Sequence, residues 1–279
     1  MNETCLNRRF DKRPVSLGAD KTSCKNRRGF TLIELLVVIS IISLLMSIML
    51  PGLSRSREIA QRVVCASNMR QLTLAWMTYA NYNDGEICSA DTDWNDGGKS
   101  NWIVNGDLVP GNTLGNTKES IMNGALWPYT YTTELYKCKT DKSKLLCSFS
   151  LSRTMNGKTC NCEHDNIDAY KKLSQIRRTS KKMVFIDAAS RDRWIEGSFC
   201  PVADITAVPP QWFVRDSRNI TSRHADGCNI SYADSHCGYR RWKNKRTVDL
   251  ANFQISPENA SDENDDLLFI TNSLKGRYQ

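Results

Sequence analysis

The stretch FTLIELLVVISIISLLMSIML occupies residues 30–50 and contains one ionisable side chain, Glu34. At about 1.5 Å per residue, a helix of this length spans roughly 30 Å, the thickness of the hydrocarbon core of a bilayer. A backbone in lipid must satisfy its hydrogen bonds internally, so the segment favours a helix despite its β-branched residues. The sequence therefore predicts a transmembrane helix over residues 30–50.

Basic residues are concentrated ahead of this segment. The chain has 279 residues and a formal net charge of +8, and residues 1–29 contain eight basic and three acidic side chains. The positive-inside rule predicts that residues 1–29 stay in the cytoplasm and that the chain beyond residue 50 is exported. The rest of the chain is close to charge balance, so we expect no nucleic-acid partner. A hydrophobic content of 40% excludes wholesale disorder and a multi-span membrane protein.

The junction between the basic and apolar segments reads RRGFTLIE, residues 27–34. A secretory signal is normally cleaved after its apolar stretch, but PGLSRSR, which follows Leu50, is a poor site of that kind. Gly29 offers a protease an accessible backbone without a side chain. The junction before the helix is therefore the more informative boundary.

The string RRGFTLIELLVVISII, residues 27–42, resembles the class III signal of type IV pilins and type II secretion pseudopilins. The resemblance implies that a prepilin peptidase cuts between Gly29 and Phe30 and methylates the new amino group of Phe30. It also implies further partners, namely other pilin or pseudopilin subunits, an inner-membrane assembly platform and membrane lipid.

Glu34 is a candidate assembly residue. A lone carboxylate inside a bilayer is costly and usually has a partner. Cleavage would create an amino group at Phe30, and Glu34 of one subunit would neutralise the N-terminus of its neighbour. The alternative is a carboxylate that reaches the nearby cytoplasmic interface.

The helical period continues over residues 51–81. Pro51 lacks a backbone donor and crowds the preceding turn, which predicts a kink where the helix leaves the membrane. One apolar stripe then contains Ile59, Val63, Ala66, Met69, Leu72, Trp76 and Tyr79. Turn residues NYNDG at 81–85 end the pattern. We predict one long, Pro-interrupted helix whose second half packs on a globular head.

The helical period disappears from about residue 86, and short apolar runs alternate with turn residues. This pattern predicts one exported domain over residues 82–279, an antiparallel β-sheet with long loops. The candidate strands are Trp102–Val104, Lys144–Ser150, Lys182–Ile186, Gln211–Val214, Cys228–Tyr232 and Cys237–Trp242, and residues 165–178 are a candidate short helix. The predicted fold class is α+β, with a long N-terminal helix packed on an antiparallel head, as in pilins.

The C-terminal hairpin carries a second resemblance. His224, nine residues and then Asp234 resemble the prepilin-associated motif in which His, nine residues and Asp-Gly recur, and Ser235 replaces the glycine. His224, Asp234 and His236 suggest either a metal or catalytic set or a hydrogen-bonded turn that fixes the hairpin. We favour the turn, because the sequence places no nucleophile or third ligand beside them.

Eleven cysteines are present, of which two precede the apolar segment and eight lie in the predicted head. An oxidising compartment favours disulfides, and Cys228 and Cys237 are candidates for a pair across the hairpin. Cys65 is the one remaining cysteine, and it lies on the predicted helix. A zinc loop around Cys160, Cys162 and His164 is less favoured than a disulfide there.

Two oxygen-rich stretches raise the question of calcium. Residues 91–97 place a glycine one position late for a calcium loop. Residues 262–266 read DENDD, for which a solvated acidic loop is the default and a calcium site the alternative. We therefore expect no cofactor or structural metal, with calcium as the alternative.

The function predicted from these patterns is that of a structural subunit, a pseudopilin of a type II secretion or type IV pilus-like fibre. Its helix would lie in the inner membrane, with the N-terminus in the cytoplasm and the head in the periplasm. The alternative is an exported binding module for glycan or cargo on a pilin-type anchor. An enzyme is not expected, because no nucleophile elbow or paired-carboxylate signature is present.

Overall fold

The computed structural model describes residues 29–92, 100–104, 117–156, 169–189, 197–199, 212, 219–254, 260–261 and 263–274. The chain divides into two compact units, Met1–Pro51 and Gly52–Gln279. Helix α1, Leu32–Tyr82, belongs to both. It ends in the predicted turn, where Gly85 has a φ of +79° and its N–H donates to the Ala80 carbonyl at 2.9 Å. Glycine adopts that backbone conformation without a steric penalty.

The second unit is built on a β-sheet. Its strands are β1 (Phe149–Ser152), β2 (Met183–Ala189), β3 (Ser198–Phe199), β4 (Asn219–Ile220), β5 (Gly227–Tyr232) and β6 (Cys237–Arg241). Four of them pair in the antiparallel order β1-β2-β5-β6. β3 adds to β1 in parallel, and β4 pairs with the end of β2. The long N-terminal helix and this sheet confirm the predicted α+β, pilin-like architecture.

The two faces of the sheet are covered by different elements. One face packs on the second half of α1, where Met69, Leu72 and Trp76 are fully buried with Phe185 of β2. The opposite face packs on two C-terminal helices, α4 (Lys245–Ala251) and α5 (Asp265–Leu274). Residues of β5 alternate between these faces, as the period of a strand requires.

The predicted apolar stripe of α1 is buried over only part of its length. Met69, Leu72 and Trp76 are buried, but Ile59 is 45% exposed and Val63 is 60% exposed. The buried set consists of Cys65, Met69, Leu72, Thr73, Ala75, Trp76 and Ala80. The helix contacts the head at Arg62, whose carbonyl accepts from the Asn229 side-chain amide at 3.2 Å and whose guanidinium lies over the Tyr239 ring, and it becomes fully buried at Cys65.

Three of the predicted strands are present with shifted bounds, since β2, β5 and β6 overlap the expected ranges. The fourth, Lys144–Ser150, begins only at Phe149. The Ser148 N–H donates instead to the Tyr136 carbonyl at 2.8 Å, outside the sheet. Trp102–Val104 is wrong as a strand, because the Trp102 and Val104 N–H groups bond to Ser89 and Ser120 rather than to a ladder. Of Gln211–Val214, only Trp212 is among the described residues.

Short helices are the elements that the sequence pattern misses. They are α2 (Lys118–Met122), α3 (Trp127–Thr130), α4, α5 and a 3-10 helix at Thr133–Tyr136. The expected helix over 165–178 is wrong in its described part, 169–178, where a single 3-10 turn spans Leu173–Gln175. Segments of 4–10 residues are too short to establish a helical period against a background of loops.

Candidate functional site

The residues around the predicted cleavage point form the start of α1. Thr31 precedes the first helical residue, and its hydroxyl oxygen accepts a hydrogen bond from the Glu34 N–H at 3.3 Å. The Glu34 carboxylate accepts in return from the Thr31 N–H at 2.9 Å and from its hydroxyl at 2.7 Å. This reciprocal pair is a capping box, so Glu34 serves the helix start of its own chain.

The predicted cleavage point itself is open. A Cβ built on Gly29 meets no atom within 4 Å, and Phe30 is 75% exposed. Substituting Gly29 therefore disturbs no contact in the described part of the chain. A processing defect in such a variant would report on the peptidase rather than on the fold.

The first half of α1 is an apolar surface without cover from the described residues of its own chain. Every residue from 29 to 57 is exposed. The hydroxyls of Ser40, Ser43 and Ser47 donate to helix carbonyls three or four positions earlier, at 2.7–2.8 Å. These polar groups are thus satisfied within the helix, as an apolar solvent requires. By length and composition, α1 is able to cross a membrane.

Pro51 lies within α1, and the helix continues on both sides of it. The single long helix predicted across this position is therefore confirmed. Proline removes one hydrogen bond, and the neighbouring turns maintain the helix around that gap. A bend at Pro51 stays a prediction.

Two of the three C-terminal motif residues form a turn between β5 and β6. The Asp234 carboxylate accepts from the His236 N–H at 3.2 Å, and its Oδ1 lies 2.5 Å from the His236 Nδ1. Ser235 has a φ of +70°, the left-handed conformation that suits the glycine of the related motif. The His236 ring also stacks on Tyr232, with 4.3 Å between ring centroids. These contacts fix the hairpin.

His224 lies at the opposite end of β5 and belongs to a different cluster. Its Nε2 is 3.4 Å from Asp187 Oδ2 on β2 and 3.4 Å from Cys138 Sγ. The Cys138 sulfur is 2.6 Å from that of Cys65 on α1. All four side chains are buried. The structure therefore separates His224 from Asp234 and His236, which are adjacent to each other.

The contacts within this buried cluster shift the pKa values of its histidine and its two thiols in different directions. Burial opposes the charge on His224, but the Asp187 carboxylate and the Cys138 sulfur raise the pKa of His224 to about 9. The hydrogen bond from Cys65 lowers the pKa of the Cys138 thiol against the effect of burial, and His224 lowers it further. The same bond and burial raise the pKa of Cys65. Cys138 is thus the more readily ionised sulfur.

The cluster lacks the geometry of a catalytic triad. In a triad the nucleophile and the orienting carboxylate contact opposite ring nitrogens of the histidine. Here Cys138 and Asp187 both face Nε2, while the buried Nδ1 has no hydrogen-bond partner among the described residues. Cys65, Cys138 and His224 do place three metal-ligating atoms within 4.8 Å of one another.

The predicted pairing of Cys228 with Cys237 is wrong. Cys228 lies opposite Arg240 in the hairpin register, whereas Cys237 lies opposite Ser231, and both thiols are free. The two side chains point to opposite faces of the sheet, since Cys228 packs among the C-terminal helices and Cys237 on the α1 side. Cys160, Cys162, His164 and Cys200 lie outside the described residues.

The acidic stretch 262–266 is not simply a solvated loop. Asp266 is fully buried, and its carboxylate pairs with Arg240 at 3.0 Å and accepts from the Lys243 and Asn244 N–H groups. Asn264 is also buried, and its side-chain oxygen accepts from N–H groups at the start of α5. Calcium at 262–266 stays an untested alternative, and most of the stretch 91–97 lies outside the described residues.

Two groups of residues escaped the sequence interpretation. The spacing Thr31-x-x-Glu34 is a local sequence signal that predicts a helix start at Thr31. The association of Cys65, Cys138, Asp187 and His224 had no local signal, because these residues come from four separate parts of the chain.

Comparison with known proteins gives one match. A family model described as the prokaryotic N-terminal methylation motif matches residues 24–50. No curated protein and no solved structure matches the chain. The motif covers the junction at Gly29 and the apolar first half of α1. Together with that long apolar helix, which indicates membrane anchoring, it fits a type IV pilin-like protein.

Proposed function

We propose that the chain is a fibre subunit, a pseudopilin of a type II secretion or type IV pilus-like system. Prepilin peptidase removes residues 1–29 and methylates Phe30. The helix over residues 30–50 then resides in the inner membrane, with its N-terminus in the cytoplasm and the head exported. An assembly platform extracts the subunit and packs its helix against those of other subunits.

The observation that carries this proposal is the coincidence of the methylation motif with an uncovered helix. The motif at 24–50 ends with the same apolar residues that α1 leaves exposed. A helix that is apolar all round and uncovered by its own chain needs lipid or other helices around it. A subunit that moves from the bilayer into a fibre exchanges contacts with lipid for contacts with the helices of other subunits.

Glu34 would then have two roles in sequence. Its carboxylate caps α1 of its own chain through Thr31. In the fibre it would also neutralise the N-terminal ammonium of a neighbour, a pairing that favours a fixed register between subunits. The two roles are separable, because a glutamine keeps the acceptor that a capping box needs but carries no charge.

Substitutions at Glu34 test the assembly step. We expect Glu34→Gln to insert in membranes normally and to lose fibre incorporation by tenfold or more, and Glu34→Leu to behave alike. The measurement is the ratio of chain in sedimented fibres to chain in membranes. Glu58→Gln, on the same helix but beyond the apolar segment, is the matched control and should assemble normally.

The two variants distinguish the charge from the cap. Normal fibre yield from Glu34→Gln together with a defect in Glu34→Leu would assign Glu34 to the cap alone and contradict the pairing between subunits. Normal yield from both would remove Glu34 from assembly altogether.

A further inference from the structure

Cys65 lies one turn of α1 beyond Arg62, whose carbonyl accepts from the Asn229 side-chain amide of the head at 3.2 Å. It is the first buried residue of the helix. Three positions later, the Asn68 side-chain amide approaches the carbonyls of Glu134 and Lys137 at 3.4 and 3.5 Å. Cys138 follows directly, so one turn of α1 and the segment 134–138 contact each other at several atoms.

The two sulfurs are too close for unbonded atoms. Their separation is 2.6 Å, and both side chains are fully buried. Carbon atoms in van der Waals contact stay roughly 3.5–4.0 Å apart, and sulfur is larger than carbon. A disulfide bond has a length of about 2.05 Å, so a small approach of the two residues would form one.

The surroundings of Cys138 suit the formation of that bond. Its sulfur lies 3.4 Å from the His224 ring and 3.0 Å from the Thr140 hydroxyl. These donors stabilise a thiolate, the form that attacks another sulfur. His224 is itself held by Asp187. Cys138 is thus the attacking sulfur and Cys65 the one that completes the bond.

A metal fits the same residues less well. Tetrahedral zinc binds sulfur at about 2.3 Å, which places two thiolates roughly 3.7 Å apart. Cys65 and Cys138 would have to separate by about an ångström to admit the ion, and His224 Nε2 would have to leave Asp187. A disulfide needs a smaller movement and no new ligand.

We propose that Cys65 and Cys138 form a disulfide that joins α1 to the segment before β1. This rests on the proposed function, since an exported head meets oxidising conditions. The Cys138 thiolate attacks a disulfide of an extracytoplasmic thiol oxidant and displaces one of its sulfurs. Cys65 then attacks the Cys138 sulfur and releases the other. The two electrons and two protons of the thiols end on the oxidant, which leaves as a dithiol.

Both sulfurs are inaccessible in the folded head, so the oxidant acts after Cys138 and His224 have come together and before the head is fully closed. The disulfide links positions 73 residues apart and ties the helix that carries the membrane segment to the sheet-bearing head. Any force that an assembly machine applies to α1 would then reach the head through a covalent bond.

Peptide mapping of the full chain from its native membranes tests the proposal. Free thiols are alkylated under denaturing conditions without reduction, and the chain is cut after Lys and Arg. This isolates Cys65 in residues 63–70 and Cys138 in residues 138–139, without another cysteine in either peptide. We expect these peptides to be joined and to separate on reduction. Cys65→Ser should leave Cys138 available for alkylation or another partner, while the control Cys237→Ser keeps the link.

The N-terminus of the same sample separates the two proposals. A chain that begins at Phe30 with both cysteines alkylated overturns the disulfide and leaves the proposed function standing. A chain that keeps residues 1–29 with the two peptides joined supports the disulfide and overturns the proposed function. Alkylated cysteines together with one zinc per native chain would identify a metal site and overturn the disulfide.

Discussion

The two halves of α1 both carry apolar residues, but they differ in what covers those residues. Leu44 in the first half is 64% exposed, whereas Leu72 in the second half is fully buried. The second half is covered by the sheet of its own chain, through Trp76 and Phe185 among others. The first half has no such cover among the described residues, and the proposed function assigns its cover to lipid and to other subunits.

This difference shows that the sequence of one helix meets two requirements, packing on the head in its second half and an apolar surface in its first half. Beyond Cys65, the alternation of polar and apolar residues specifies how the chain folds on itself. Between Phe30 and Leu50 the surface is apolar on all sides, which specifies a solvent rather than a partner within the chain. The proposed assembly into a fibre would use the apolar surface of α1 that the described residues leave exposed.

Truncating one leucine in each half of α1 to alanine tests whether only the second half contributes to the stability of the head. We expect Leu72→Ala to lower the free energy of unfolding of the head by about 3 kcal/mol, since it opens a cavity in a packed core. Leu44→Ala should change it by less than about 0.5 kcal/mol, because the Leu44 side chain is 64% exposed and its truncation opens no cavity among the described residues. Urea unfolding of the full chain in detergent, followed by tryptophan fluorescence, measures both. Equal losses in the two variants would contradict the division of α1.

A pH titration sharpens the comparison, because only the head contains a buried histidine among the described residues. The pKa of His224 is raised, so its contribution to stability is fully present below pH 6.5 and is lost as the pH rises toward about 9. Asp187 and Cys138 face the ring, and Arg223 lies 3.9 Å from Asp187. A Cys138 in a disulfide carries no charge. We therefore expect the loss of unfolding free energy across this pH range to be smaller than the loss caused by Leu72→Ala.

The measurement is the free energy of unfolding of the oxidised chain between pH 6.5 and 9. The wild-type chain should lose stability over this range, and His224→Gln should remove most of the dependence. An identical pH profile in both chains would show that His224 stays neutral in the folded head.

Much of the fold follows from the sequence where the signal is local. Residues 30–50 have a composition that suits a helix in lipid, and the alternation in residues 228–242 specifies a hairpin. Asp234, Ser235 and His236 form the turn that the sequence suggests. In each case neighbouring residues decide the outcome, and a motif of a few positions is sufficient.

The parts that could not be predicted depend on contacts between distant residues. His224 shares a motif with Asp234, yet it pairs with Asp187 and Cys138 because the sheet brings β2 and the chain before β5 together. Asp266 lies in an acidic run, yet Arg240 and two backbone donors hold it inside the head. The full burial of α1 begins at Cys65 rather than Ile59, because the position of the sheet, and not the helical period, determines which turns of the helix are covered.

The most direct test of the central claim is the N-terminus and intact mass of the chain from its native membranes. We predict a chain that begins at N-methylated Phe30 and is about 3 kDa lighter than the full sequence. Gly29→Ala should keep the leader. The control Gly52→Ala, which lies within α1, should lose the leader as the wild-type chain does. A wild-type chain that still begins at Met1 would contradict the account, and its first helix would then be a permanent anchor rather than the core of a fibre.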